Sequence, residues 1–523
     1  MSSGPNTASV AGAPAPTAGA QKLGLLALTA MVVGSMIGGG VYSLPQNMAQ
    51  DASAGAIILA WLITGAGMLF LGSAFVQLSQ ARPDLTTGIY SYARDGFGRY
   101  AGFNMSLGYW LSSVFGNVGF AVLTMDSLNY FFPPYFAGGN TLLAVVSGSV
   151  IIWIMNFLVL NGVRSAAFLN TISTIAKIVP LAIFAMVLIW VFSPSHFFQD
   201  FWGHASGFAQ TSAHGAPAAA GEQVAGKPLG TLMSQIKSTM LVTLWVFIGI
   251  EGAVVVSDRA KSQHDVAAAT IIGFVFCLVL YAALSLLPFG LLSQPELAAI
   301  PNPSTAGVLQ AAAGKWGSVL MNVGLLISVL SCWLAWTMLM AELPWASAKD
   351  HSFPRQFAKQ NAHEANSVSL WVSSLIMQAA MILVYFSHDA WSLMLSITGV
   401  MVLPPYLACT LYLIKVGITG KMTGRLPYGR AFAVVSGVLG SIYALWLLYA
   451  AGLNYDLMGV IVFAASLPLF LWARAQQRAA HRAAGTAVAP VMTKPEAVAM
   501  AILVLAALAG IYFVFTGQLK LGL

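Results

Sequence analysis

Two ionisable side chains stand inside long apolar runs, where water cannot solvate them. Glu251 sits in Phe247-Ile248-Gly249-Ile250-Glu251-Gly252-Ala253, and Lys177 in the run from Ala166 to Phe192. An acid at the centre of a spanning helix costs about 2.5–3.5 kcal/mol on insertion scales, and such residues mark pathways or relays. Glu251 therefore reads as a counter-charge for a cation, or as a gating and proton-responsive group. The plainer alternative is a protonated carboxyl that ties together loosened backbone. Lys177 has its own plain alternative, snorkelling to an interface, but Thr171 to Ile175 already fill that end of its run. Asp126 and Glu342 stand near the ends of their runs and read as interface anchors or gates rather than ligands.

The second kind of chemistry beside Glu251 belongs to the backbone. Gly34-Ser35-Met36-Ile37-Gly38-Gly39-Gly40 lies in another apolar run, although each glycine costs a helix about 1 kcal/mol against alanine. Unwinding frees N–H and C=O groups, which in hydrocarbon must be paired or line a wet cavity. A zwitterionic amino acid pairs both kinds. Its carboxylate fits the amides of Gly38, Gly39 and Gly40 at the positive end of a half-helix. Its ammonium fits carbonyls around Ile37 and from Phe247 through Ile248 to Gly249. The alternative is that the glycines merely let helices approach. Two such runs at corresponding places in two five-segment halves favour a site. Five helices per half require the second half to be inverted, and interrupted helices at matching positions point to the binding site of a secondary transporter. Ser35, Ser112, Ser113 and Thr337 fit either substrate contact or glue between helices.

Elements of bilayer length must position these groups. The chain is 58% hydrophobic and 7% charged, with mean hydropathy +0.79, whereas a soluble domain carries about 25% charged residues. Thirteen apolar segments are expected at 23–47, 55–79, 102–132, 141–161, 166–193, 238–257, 266–292, 316–345, 368–387, 391–416, 430–452, 455–474 and 497–517. Continuous runs of this kind exclude a barrel, whose strands alternate. With the N-terminus in the cytoplasm, inside segments hold 18 Lys and Arg residues and outside segments 4, the bias that sets topology. The organisation expected is a disordered cytoplasmic tail (1–22), a first five-helix repeat (23–193), an external loop (194–237) and a second, inverted repeat (238–416). Peripheral helices (430–474), a cytoplasmic linker (475–496) and a thirteenth helix (497–517) follow; the Ala-rich last run would also suit an interface. The polar stretch 203–231 reads as a tolerated insertion.

Several function classes fall away. The net charge of +7 is scattered between apolar runs, so no nucleic-acid stripe forms. Cys277, Cys332 and Cys409 lie in apolar segments and read as small packed hydrophobes. His264, His351 and His363 lack ligand spacing, so no metal is expected, and no cofactor either. A P-loop is absent, which leaves solute or ion gradients as the energy source. An enzyme would need a clustered nucleophile or metal triad at one face. A sensor sharing this fold would need a substantial soluble domain, which the short head and tail do not supply.

At the level of motifs the chain resembles the amino acid–polyamine–organocation superfamily, within its basic amino acid/polyamine antiporter group, and most of all the arginine/ornithine antiporters. The stretches that carry this are GSMIGGGVYSLPQNMA (34–49), TGIYSYARDGFGRYAGF (87–103), GYWLSSVFGNVGF (108–120), NGVRSAAFLNTISTIAKIVPL (161–181), WVFIGIEGAVVVSDRAK (245–261) and ELPWASAKDHSFP (342–354). The resemblance implies an all-α, five-plus-five inverted-repeat membrane fold with broken helices one and six. It also implies cationic amino acid exchange by alternating access in a cell (inner) membrane, arginine against ornithine being preferred. Lysine/cadaverine or other amino acid/polyamine exchange and proton-coupled uptake are the alternatives. By the same resemblance Gly38, Gly39 and Gly40 receive the substrate carboxylate and Ile37 contributes backbone to its ammonium. Asn117 hydrogen-bonds substrate, Trp245 lids the pocket and Trp336 lines its distal end. Related arginine/agmatine exchangers often carry Ser at the middle glycine, a hydroxyl this chain lacks. Lys177 would replace a structural sodium between helices one and eight. Tyr90 and Tyr92 fall in the family's amphipathic gating segment. Close relatives pair through their last two core-flanking helices, so a homodimer in the lipid bilayer is the expectation.

Overall fold

The computed structural model describes residues 23–85, 89–162, 166–203, 228–252, 260–487 and 490–518. Among these, helices account for the regular structure, and the one β-type contact is a parallel bridge between Leu23 and Ala260, where Lys261 N donates to Leu23 O. Continuous apolar sequence leads to this outcome because a helix pairs its own backbone groups where lipid offers no partner.

The first apolar run is broken. Helix α1 (Leu25–Met36) stops where Ile37 turns extended, a 3-10 turn occupies Gly40–Ser43, and α2 (Leu44–Ala49) resumes with Pro45 in its first turn. A proline is harmless there, since that N–H has no partner in a helix anyway. The two halves are bent by 52°. Then come α3 (Ala54–Ala81), the short α4 (Ile89–Phe97), α5 (Arg99–Asn129), α6 (Leu142–Leu160) and α7 (Ala166–Val191). Helix α8 (Leu232–Phe247) ends at Ile248, which is extended, and Gly249 follows with φ +108°. A side chain at Gly249 would be strained by that backbone, and its Cβ would lie 2.9 Å from Ser35 O. The two breaks therefore touch: Ser35 Oγ donates to Gly249 O at 2.8 Å.

The remaining helices of more than ten residues are α9 (Gln263–Leu286), α10 (Lys315–Lys349), α11 (Ser367–Val384), α12 (Ala390–Thr419), α13 (Gly429–Ala451), α14 (Leu453–Ala465), α15 (Leu467–Ala483) and α16 (Lys494–Phe515). Ten helices among the described residues are long and apolar enough to cross a membrane, and the bent pair makes eleven. Ala176–Val191 and Leu232–Phe247 are shorter apolar helices, standing where segments 166–193 and 238–257 are expected. The tail 1–22, most of the 203–231 stretch and residues 253–259 lie outside the described residues. Two boundaries differ from expectation. The sixth apolar run becomes helical at Leu232, where Thr231 caps it by accepting from Ser234 N. Residues up to Ala483 of the expected linker are helical, because its Ala, Gln and Arg residues are strong helix formers even where no lipid covers them.

Helix α5 runs through the middle, packed on α10 and α12, while α1 packs on α9 and α12 on α13. Helix α16 lies at the edge against α14. Its Ile502, Leu505, Leu508 and Phe515 are exposed, as a lipid-facing helix requires.

Candidate functional site

The broken backbone forms one wall of a small cavity at the meeting point of the two breaks. Ser35, Met36, Gly38, Gly40 and Val41 line it from the first break, and Trp245, Val246 and Ile248 from the second. Helix α5 contributes Ser112, Ser113, Gly116 and Phe120, α10 contributes Trp336, and α12 contributes Thr398. Five of the eight residues expected to bind substrate thus meet here: Gly38, Gly40, Trp245, Ile248 and Trp336. Ile37, Gly39 and Asn117 do not line the cavity. Gly39 packs sideways, its absent Cβ lying 2.5 Å from Val329 Cγ2 and 2.7 Å from Leu123 Cδ2. Asn117 is fully buried with Nδ2 3.6 Å from Met340 Sδ, and its Oδ1 has no protein partner.

Aromatic rings shape the walls. Trp245 stands edge-on to Phe120, with centroids 6.3 Å apart, and to Trp391 at 5.6 Å. Its Nε1 would lie 2.4 Å from a Cβ on Gly40, so only glycine at 40 leaves the ring in place. Among the hydroxyls, Ser112 donates to Thr398 O at 3.0 Å and Ser113 to Tyr109 O at 3.0 Å. Thr398 Oγ1 is buried without a protein partner on the cavity wall, a polar atom that a bound molecule can satisfy. Thr337 lies off the cavity and donates back to Trp333 O.

Glu251 lies beyond the lining, 3% exposed. Its carboxyl accepts from the hydroxyls of Tyr109 on α5 and Tyr406 on α12, the latter at 3.1 and 3.3 Å. Lys177 is 1% exposed behind the first break. Its ammonium donates to Gly34 O at 3.2 Å and to Cys332 Sγ at 3.3 Å, while Cys332 Sγ lies 3.5 Å from Ile37 O. The side chain therefore ties α7 to the loosened end of α1 and to α10. Asp126 accepts from Gly138 N and Glu342 from Asn366, each holding a nearby loop.

At one end of the bundle a polar clamp binds α4. Arg82 pairs with Asp84 at 2.8 Å and Asp95 at 2.7 Å, and also donates to the Tyr412 hydroxyl. Arg94 pairs with Asp350 at 2.5 Å, and Tyr90 donates to the same carboxylate. Tyr92 stacks on Tyr412 at 5.9 Å. The Arg82 guanidinium holds the Asp84 carboxyl well below the usual carboxylate range and lowers that of Asp95.

Sequence reasoning missed Phe120, Gly116, Thr398, Tyr109, Tyr406 and the polar contacts of Cys332. The tyrosines and Cys332 carry no local pattern and gain their meaning only from the buried charge each faces.

A family model described as amino acid permease matches residues 23–472. An arginine/agmatine antiporter of Chlamydia abortus is 54% identical over 86% of this chain and 90% of its own length. An arginine/agmatine antiporter of Chlamydia pneumoniae is 50% identical over 97% of this chain and 99% of its own. A putative amino-acid transporter of Clostridium perfringens is 50% identical over 95% and 98%.

Proposed function

This chain belongs to the amino acid permease family, and from that premise we propose that it exchanges arginine for a second arginine-derived cation by alternating access. The observation that carries the proposal is the cavity at the touching breaks: aromatic rings and loosened backbone line it, and among the described residues no charged side chain is in its lining. Ring faces attract a guanidinium by about 0.5–2 kcal/mol, more as water is excluded. The amides near Gly38 and Gly40 suit the carboxylate, and carbonyls at the two breaks suit the ammonium. Thr398 Oγ1 on the cavity wall offers an unpaired acceptor of the kind a guanidinium needs.

Glu251 serves in this reading as the gate rather than the counter-charge, because tyrosines of α5 and α12 already occupy its carboxyl away from the cavity. Lys177 stands in for a cation between α1 and α10. The N-terminus lies in the cytoplasm of a bacterial-type inner membrane, a reading supported by the 18-to-4 distribution of Lys and Arg. The α4 clamp then seals the cytoplasmic end.

Agmatine is favoured as the counter-substrate, since relatives up to 54% identical carry that name. Ornithine is the second reading, supported by the motif resemblance. Transmembrane potential separates them in proteoliposomes, because arginine and ornithine carry one net positive charge and agmatine carries two. One elementary charge across 100 mV is worth about 2.3 kcal/mol. Arginine uptake against internal agmatine that responds to potential supports the first reading. Potential-independent uptake that needs internal ornithine supports the second.

A further inference from the structure

Helix α16 begins beyond the segment matched by the family model, which ends at residue 472. It buries little of itself: among its residues only Glu496, Ala507 and Gly510 are buried. A helix that serves solely as a lipid-facing appendage has no need of a buried carboxylate, which is costly unless paired. Glu496 is paired twice. Its Oε2 accepts from Thr493 N at 2.8 Å and Thr493 Oγ1 at 2.9 Å, capping its own helix. Its Oε1 accepts from Tyr100 N at 2.9 Å, in the first turn of α5.

That first turn needs an outside acceptor. The first N–H groups of a helix have no partner within it, and the residue at the cap position of α5 is Gly98, which has no side chain to offer. Gly98 is also the joint between α4 and α5, with φ +98°, and a Cβ there would lie 2.7 Å from Glu496 Oε1. Glycine at this joint both permits the turn and admits the carboxylate. A negative charge at the positive end of the α5 dipole adds to the attraction. The approach is built, not incidental: Arg474, itself buried, donates to Val491 O at 3.1 Å and to Pro490 O at 2.7 Å, pinning the chain that leads into α16.

The joint lies between two parts of the transport machinery. On one side α4 carries Arg94 and Asp95 of the clamp. On the other, α5 carries Tyr109, which holds Glu251, and the cavity residues Ser112, Gly116 and Phe120. We propose that Glu496 is a positioning residue for exchange: through it, α16 anchors the Gly98 joint so that clamp and cavity wall move in register. The transport arm of this proposal rests on the exchange reading above; the anchoring arm does not.

The test uses the full chain in nanodiscs and proteoliposomes, with Glu496→Ala, Glu496→Gln, Thr493→Ala and Gly98→Ala. Amide hydrogen exchange over residues 99–102 should rise roughly 5-fold in Glu496→Ala, the loss expected of a helix cap, and maximal arginine exchange should slow to a similar degree with half-saturation unchanged. Thr493→Ala weakens the cap of α16 but leaves the Tyr100 contact, so both readouts should stay near those of the unaltered chain. Gly98→Ala should reproduce Glu496→Ala, and the double variant should be no worse than the poorer single one. Glu496→Gln keeps one acceptor oxygen where two are used; it should fall between, and it carries the test if the alanine variant does not fold. Unchanged amide exchange at 99–102 in Glu496→Ala overturns the anchor, as does equal damage from Thr493→Ala. If the unaltered chain fails to exchange arginine, the functional reading falls while the amide measurement still decides the anchor.

Discussion

Alanine placed singly along the glycine run separates a binding wall from a packing joint. At Gly39 an added Cβ would lie 2.5 Å from Val329 Cγ2 and 2.7 Å from Leu123 Cδ2, against an ordinary carbon contact of about 3.5–4.0 Å. Both neighbours must yield by an ångström or so, and overpacking of that kind costs about 1–3 kcal/mol. The lower half of that range applies, because the atoms met are ends of side chains rather than backbone. At Gly38 the nearest atoms belong to the Phe120 ring at 3.5 Å, so a methyl fits without strain. It does, however, project among residues that line the cavity. Gly39→Ala should therefore lower the apparent melting temperature in detergent with little change in arginine half-saturation. Gly38→Ala should keep the melting temperature and weaken arginine. Thermal denaturation read by size-exclusion fluorescence, paired with arginine titration in proteoliposomes, measures both. Two variants with equal loss of stability and unaltered half-saturation would mean that the run serves only helix packing, and the cavity would lose its claim as the site.

Other perturbations address the surrounding groups. Tyr406→Phe removes a donor to the buried Glu251 carboxyl, a hydrogen bond worth about 0.5–1.5 kcal/mol; turnover should change more than half-saturation, and the reverse pattern would return Glu251 to a counter-charge role. Lys177→Met leaves Gly34 O and Cys332 Sγ without their donor, so a stability loss of about 1–3 kcal/mol is expected, and a thermally unaltered variant would count against the tie. Trp336→Ala should weaken cationic substrates more than neutral ones in competition assays, with equal losses arguing against selection by ring faces. For the clamp, the folded-state pKa values of Asp84 and Asp95 are depressed. Their contribution is then present above the unfolded carboxylate pKa and lost only as pH falls through the lower folded values. Thermal stability of the unaltered chain should hold through mildly acidic pH, and Arg82→Gln should move its acid decline to higher pH; coincident profiles would remove the clamp from the stability of this end.

The helices and both breaks could be read from the sequence because their causes are local. Apolar length decides a span, and Gly38 to Gly40 and Gly249 mark their breaks in composition alone. Glu251 and Lys177 stand out as charged groups in apolar surroundings, whereas Trp245 and Trp336 are singled out by the family resemblance. The partners of those groups were not legible. Tyr109 and Tyr406 are 142 and 155 residues from Glu251, and nothing near them in sequence announces a carboxyl. Cys332 reads as a small hydrophobe until the Lys177 ammonium lies against it. Asn117 went the other way: its expected place on the cavity gives way to a buried position beside Met340, because one face of α5 serves both the cavity and its packing on α10. Gly98 shows the same limit, since its partner Glu496 stands 398 residues later, on a helix that composition identifies only as apolar.

Arginine self-exchange tests the central claim most directly. Purified protein is reconstituted into vesicles loaded with unlabelled arginine or with buffer alone, and labelled arginine is added outside at zero potential. The account predicts rapid uptake that requires internal arginine and is lost when Trp245 is replaced by alanine. Equal uptake into vesicles holding only buffer, or no uptake into loaded ones, would contradict exchange through this cavity.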